Sequence, residues 1–336
     1  MPAECRLPGF VNAHSHAFQR ALRGRTEGDD FWAWRSAMLD LARGQTPGRV
    51  RKDYAAVYRE MRAAGYTAVG EFHYLGSAEA EAAVEAAGEA DIALMLLLSA
   101  YARGGLPRFR QSTVTDYLHQ VEELQGRGVA VGLAPHSVRA CPPDWLEEIG
   151  RYADEHALVL HVHADEQPRE IEECRAEHGA RPVELLARCG CIGPRTTVVH
   201  ATHADDNELR LIADSGARVC VCPTTEANLG DGFIPAARLR ERGIPLCIGS
   251  DSNVRIDPIE ELRELEGVAR RQTGRRNVFP VGDLLCFGAD EGAAALGLEA
   301  WGDVTVDAEH PSLRGVAEAD LLPALLFGSS GDALSA

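Results

Sequence analysis

The chain is almost without lysine. Of its 34 basic residues only Lys52 is a lysine, and it lies in a helix-like stretch far from the polar motifs. Mechanisms that need a lysine in the site are therefore excluded. Long apolar runs are also missing: none approaches the ~20 residues that cross a bilayer, so no membrane role is expected. No basic segment followed by an apolar core opens the chain, and the expectation is a cytoplasmic protein without a secretory leader. Positive charge is in deficit, 51 acidic against 34 basic residues for a net charge of −17. A general nucleic-acid binder would be basic, so that class is set aside. Anionic substrates would be repelled unless local arginines held them. Low-complexity segments and short repeats are absent, and no G-x-G-x-x-G fingerprint follows the first strand-like segment.

Cysteine is present, but in an odd number, nine, without the spacing of a small disulfide scaffold. The pairs Cys189/Cys191 and Cys220/Cys222 could be read as a four-thiolate zinc site. The pattern "ARVCVCPTT" reads better as a strand with cysteines buried as small hydrophobes.

What the chain does contain is an alternation of strand-like and helix-like stretches. Strand candidates are residues 9–16, 66–74, 92–101, 129–137, 158–166, 196–204, 217–225 and 244–251. Each is short and rich in apolar or β-branched residues, as buried parallel strands are. Between them lie amphipathic stretches such as 51–65, 144–157 and 206–216, with Gly or Asn near several ends. Eight such units in 336 residues predict an α/β fold, a (β/α)8 TIM barrel, rather than a doubly wound sheet.

The polar residues gather at the C-terminal ends of these strands, where barrels carry their active sites. The first strand ends in "HSH", His14 and His16. Residues two apart on a strand face the same side, so two imidazoles can address one point. Later strand ends supply Glu71, His73 and Tyr74, then His136 and Arg139, then His161, His163 and Glu166, then His200 and His203, and finally Asp251. Single histidines are usually structural, but this many at one rim point to a metal. Imidazoles with a carboxylate suit Zn²⁺, with Fe²⁺ or another divalent ion as alternatives. Such an ion activates water at neutral pH. Asp251 could take a proton from that water, and Glu166 could pass protons to a leaving nitrogen. Strand alternation leaves His161 and His163 both open as the ligand from the fifth strand.

The arrangement of H-x-H, two later histidines and a final Asp resembles the amidohydrolase superfamily. Where two-metal members carry a carboxylated lysine, this chain has His136, which suggests a one-metal, deaminase-like member. "NAHSHAFQRALRG", "FWAWR", "APHSVRA", "HADEQ", "VHATH", "PTTEANLGDG" and "GSDSNVRIDPIEELRELE" resemble the formimidoylglutamate deiminase family over nearly the whole chain. That resemblance implies a small-molecule substrate, N-formimino-L-glutamate, hydrolysed to N-formyl-L-glutamate and ammonia in histidine degradation. It implies one zinc per chain on His14, His16, His163 and Asp251, with the H-x-x-E motif selecting His163 and making Glu166 the proton shuttle. His200 would stand beside the reacting centre, with His203 outside it. Gln19, Arg35, Tyr74, His136 and Arg139 would bind substrate, the arginines as forks for its carboxylates. Another one-metal amidohydrolase with a different carboxylated substrate is the alternative, and a catalytically silent scaffold the remoter one. The accessory β-sandwich of such relatives is expected to be reduced or missing, with residues 1–310 as barrel and 311–336 as a tail. The flank so exposed, and the resemblance, lead to an expected homodimer.

Overall fold

The computed structural model describes residues 5–28 and 30–336. Eleven strands form two sheets. β1 (Cys5–Pro8) stands apart from the run β2 (Phe10–Ser15), β3 (Tyr66–His73), β4 (Ala93–Ala100), β5 (Val131–Pro135), β6 (Leu160–Ala164), β7 (Thr196–His200), β8 (Arg218–Val221) and β9 (Leu246–Ile248). These eight pair in parallel in sequence order. A parallel bridge between Ser15 and Asp251 links the last strand end to the first. The result is the (β/α)8 barrel that the alternating pattern predicts. Every residue of β2 and β3 is buried, as strands enclosed on both faces require.

Helices wrap the barrel for a readable reason. In Pro47–Ala63, Thr46 caps the N-terminus and Pro47 opens the first turn. Its buried face is Val50, Tyr54, Val57, Tyr58 and Met61, a 3.6-residue stripe. Each fully buried Val or Met there contributes roughly 1.5–3 kcal/mol. The preceding helix, Phe31–Arg43, differs. Only Ala42 of it is buried, because it lies across the barrel mouth and not along the wall. Arg169 stacks over the Trp32 ring at 4.4 Å and ties this helix to the far rim.

A second, three-stranded sheet stands beside the barrel. β1 pairs antiparallel with β10 (Asp303–Val306), which pairs with the two-residue β11 (Leu334–Ser335). Sequence on both sides of residue 310 therefore contributes to it. All eight barrel strands are shorter than their expected ranges, and in one the cause is explicit. Residues 217–225 end as strand at Val221, and Pro223 opens a helix, Pro223–Leu229. A proline at the first helical position has its missing N–H where none is needed. Cys220, Cys222 and Cys247 pack together as a buried apolar cluster, and Cys191 Sγ donates to Leu146 O at 3.0 Å. Among the described residues no helix is long and apolar enough to cross a membrane.

Candidate metal centre and active site

The barrel closes at the site itself. The Asp251 N–H donates to His14 O at 3.0 Å, and the His16 N–H donates to Asp251 O at 2.8 Å. Just below, Asn12 Oδ1 accepts the Ser250 N–H at 3.0 Å. Backbone bonds between first and last strands thus hold three candidate ligands, in a way a loop could not.

His14, His16, His163 and Asp251 each offer a ligand atom, and these four atoms lie within 4.8 Å of one another. His14 Nε2 stands 3.1 Å from His163 Nε2 and 3.4 Å from Asp251 Oδ1, and His16 Nε2 stands 3.3 Å from the same oxygen. Donors bound to one zinc at about 2.0–2.1 Å in a tetrahedron are about 3.3 Å apart, so these separations fit an ion at their centre. The tautomers agree. His16 Nδ1 lies 3.1 Å from Phe72 O and His163 Nδ1 lies 3.0 Å from His136 O. Carbonyl oxygens accept only, so both Nδ1 atoms carry the proton and both Nε2 lone pairs face inward. Two imidazole lone pairs converging on one point are unfavourable without a cation between them.

Electrostatics tell the same story. Burial pushes His14 down to about 3 and also lowers His16 and His163, so all three are neutral, as ligands must be. Burial alone would raise Asp251, but the His14 hydrogen bond and the nearby charge of His200 outweigh it and hold the carboxylate well below its ordinary range. His200 moves the other way. Burial opposes its charge, yet Glu226, Glu166 and Asp251 raise it to about 10. Strand ends here carry unusual backbone: His200 has φ 75°, Ala201 54°, Asp165 56° and Asp251 42°. Non-glycine residues in that region cost of order 1–3 kcal/mol each and concentrate at functional sites.

The other expected residues fall around this cluster. His16, Gln19, Arg35, Tyr74, His136, Arg139, His163, Glu166, His200 and Asp251 line one cavity of about 50 Å³, which Phe31, Trp34 and Met38 of the mouth helix roof. Arg35, Met38, His136 and Arg139 also line an adjoining cavity of about 70 Å³ that reaches Tyr101 and Arg103. His200 Nε2 lies 3.9 Å from Glu166 Oε1 and 4.0 Å from Asp251 Oδ2. Arg139 lies 3.6 Å from Glu166 Oε2 and 3.6 Å from Glu170 Oε1. Gln19 Nε2 donates to the Tyr74 hydroxyl at 3.0 Å. Arg35 makes no hydrogen bond or ion pair among the described residues, which leaves its fork free for an anion.

Three strand-end histidines stand outside the cluster. His161, two residues deeper than His163, has Nε2 2.9 Å from Ala295 O. His73 Nε2 lies 2.9 Å from Gly76 O, and His203 Nε2 lies 2.7 Å from Asp231 O. The strand alternation that left His161 and His163 level is thus resolved by depth. Sequence reasoning placed Glu71 at a strand end without a role, and missed Tyr101 and Glu226. Glu71 is buried, accepts the Ala17 N–H at 2.8 Å and so secures the turn after His16. Burial raises it to about 8 despite that bond. Tyr101 packs on His136 with ring centroids 4.6 Å apart. Its position at a strand end, like that of Tyr74, was the available signal.

Gly249 shows how tightly the ligands are backed. A Cβ there would stand 2.8 Å from both His14 Cβ and His14 O. Gly249→Ala should displace His14 and weaken metal binding by about 10- to 100-fold, the usual cost of disturbing a ligand's support. Metal content after dialysis against a weak chelator measures this; full retention would show that the strand can yield.

Residues 6–308 match the amidohydrolase family, and the chain belongs to that family. It is 38% identical to formimidoylglutamate deiminase of Pseudomonas aeruginosa over 300 residues, which cover 81% of this chain and 66% of that enzyme. It is 28% identical to the 5-methylthioadenosine/S-adenosylhomocysteine deaminase of Teredinibacter turnerae over 309 residues, 89% of this chain and 68% of that one. The chain thus spans about two thirds of the length of these relatives. Among solved structures, an amidohydrolase from Brucella melitensis superposes with a TM-score of 0.87 at 32% identity, covering 98% of this chain and 84% of that one.

Proposed function

We propose that this chain hydrolyses N-formimino-L-glutamate to N-formyl-L-glutamate and ammonia, a step of histidine degradation, with one zinc ion held by His14, His16, His163 and Asp251. One observation carries the reading: the four-residue cluster opens into a cavity that also holds Glu166, His200 and the guanidinium groups of Arg35 and Arg139. The substrate needs both parts, since its amidine end is the bond to be hydrolysed and its other end carries two carboxylates.

His14, His16, His163 and Asp251 would hold a divalent ion, which would supply a water acidic enough to attack at neutral pH. Asp251 is held ionised and accepts a proton from the attacking water. Glu166, 3.9 Å from His200 Nε2, carries a proton to the departing nitrogen, which leaves as ammonia. His200, charged and buried, faces the same centre and stabilises the negative charge that builds up as the carbon becomes tetrahedral. Arg35 and Arg139 hold the carboxylates. The Phe31–Arg43 helix keeps bulk water off the site and sets the length of substrate that fits. The atoms balance: water supplies the new carbonyl oxygen, and the imino nitrogen leaves.

A nucleoside substrate, as in the second relative's name, agrees less well. The two cavities adjoin at Arg35, His136 and Arg139. Two arginines at the mouth suit an acid better than a neutral nucleoside.

Treating the protein with a strong chelator should abolish ammonia release from N-formimino-L-glutamate, and Zn²⁺ or Fe²⁺ at one equivalent per chain should restore it. The metal should also raise the melting temperature, since an ion at 1,000 times its Kd stabilises the folded state by about 4 kcal/mol. Parallel assays with 5-methylthioadenosine test the rival substrate. Turnover of the nucleoside and none of the acid would overturn the proposal.

A further inference from the structure

The segment "PTTEANLGDG" has no role in the chemistry above, yet it contributes a buried acid to the site. The helix Pro223–Leu229 follows β8, and its Glu226 is only 3% exposed. Glu226 Oε1 lies 3.3 Å from His200 Nδ1 and accepts the Cys222 backbone N–H at 3.0 Å. The other ring nitrogen, His200 Nε2, faces Glu166 and Asp251. His200 also needs an external hold. With φ 75°, and Ala201 after it at 54°, its backbone sits where L residues rarely rest unless the surroundings enforce it. The ring is fully enclosed, so its orientation is set by the groups at its two nitrogens.

We propose that Glu226 is the positioning residue of His200. It accepts the Nδ1 proton and thereby fixes the ring's rotation, so that Nε2 addresses the reacting centre between Asp251 and Glu166. Glu226 does not itself line the substrate cavity; it acts through His200. The inference rests on the reading that His200 serves the reacting centre. A carboxylate accepts only, whereas an amide can rotate and donate, so Glu226→Gln keeps the shape and loses the fixed, charged acceptor for the Nδ1 proton. In hydrolases of the Ser-His-Asp type that exchange leaves geometry intact and lowers kcat about 10⁴-fold.

The test has two readouts on zinc-loaded protein. Nitrogen-15 NMR of labelled histidines, with His200 assigned by His200→Asn, should show Nδ1 protonated in the wild type and its proton lost or exchanging in Glu226→Gln. Kinetics with N-formimino-L-glutamate should show kcat lowered at least about 10²-fold in Glu226→Gln, KM within threefold, and metal content unchanged. A purely structural role would lower metal content or thermal stability and leave the remaining active fraction with a normal kcat. An unprotonated Nδ1 in the wild type, or an unchanged kcat in Glu226→Gln, overturns the inference. If the wild type turns over no N-formimino-L-glutamate, the substrate reading falls, and the wild-type NMR signal still decides whether Glu226 holds the Nδ1 proton.

Discussion

Asp251→Asn should lower kcat/KM for N-formimino-L-glutamate by about 10⁴-fold or more. In the proposed mechanism Asp251 has two functions, proton acceptor and metal ligand, and the substitution removes both. General acid–base groups contribute about 10² to 10⁴-fold, and the loss of a carboxylate ligand weakens the ion on which the rest depends. The fold should survive, because the barrel closure at this position uses backbone atoms, Asp251 N to His14 O and His16 N to Asp251 O, which the substitution leaves in place. An unchanged circular dichroism spectrum with activity lost would show this. Activity within tenfold of wild type would place the base elsewhere.

The second large effect belongs to Arg35. Arg35→Met should raise KM for N-formimino-L-glutamate by about 10- to 100-fold with little change in kcat. The loss is that of charge-assisted hydrogen bonds worth about 1.5–3 kcal/mol, while methionine keeps the apolar stem that lines the cavity. Arg35 is the cleaner probe of the pair. Arg139 also lies 3.6 Å from Glu166 and from Glu170, so its removal should lower kcat as well. A substrate analogue without the carboxylates should bind wild type and Arg35→Met equally. If Arg35→Met leaves KM unchanged, the carboxylates are held by other groups.

Much of this architecture is legible in the chain, for identifiable reasons. Strand period places His14 and His16 on one side, and the alternation of apolar runs with amphipathic stretches marks all eight barrel strands. Both signals are local. What escapes the sequence is non-local. Glu226 meets His200 across 26 positions, and nothing in its neighbourhood distinguishes it from a helix-surface acid. Glu71 is visible at a strand end, but its partner, the Ala17 N–H, is a backbone group without a sequence signature. His161 and His163 differ only in depth along β6, and alternation is blind to depth. The accessory sheet escapes because β11 has two residues, too few to carry a pattern. The mouth helix is misleading in another way. "FWAWRSAML" has the apolar content of a core helix, yet its aromatics roof a polar cavity, a placement set by where the preceding turn leaves the barrel.

Lysine scarcity has a structural sequel. With no lysine at the end of β5, the position holds His136, whose ring packs on Tyr101 and His163 at centroid distances of 4.6 and 4.7 Å. Burial and the nearby Arg139 push its pKa well down. A neutral, buried imidazole there leaves one cluster of ligands, not two, among the described residues.

The most direct test of the central claim is the identity of the products. N-formimino-L-glutamate labelled with carbon-13 at the formimino carbon can be followed by NMR during turnover by the zinc-loaded protein. Hydrolysis at the imino nitrogen should place the label in N-formyl-L-glutamate and release one ammonia per turnover. Label appearing in formamide, with free glutamate, would mean that the other carbon–nitrogen bond is cut, and would contradict the assignment of Glu166 and Asp251 to the departing imino nitrogen.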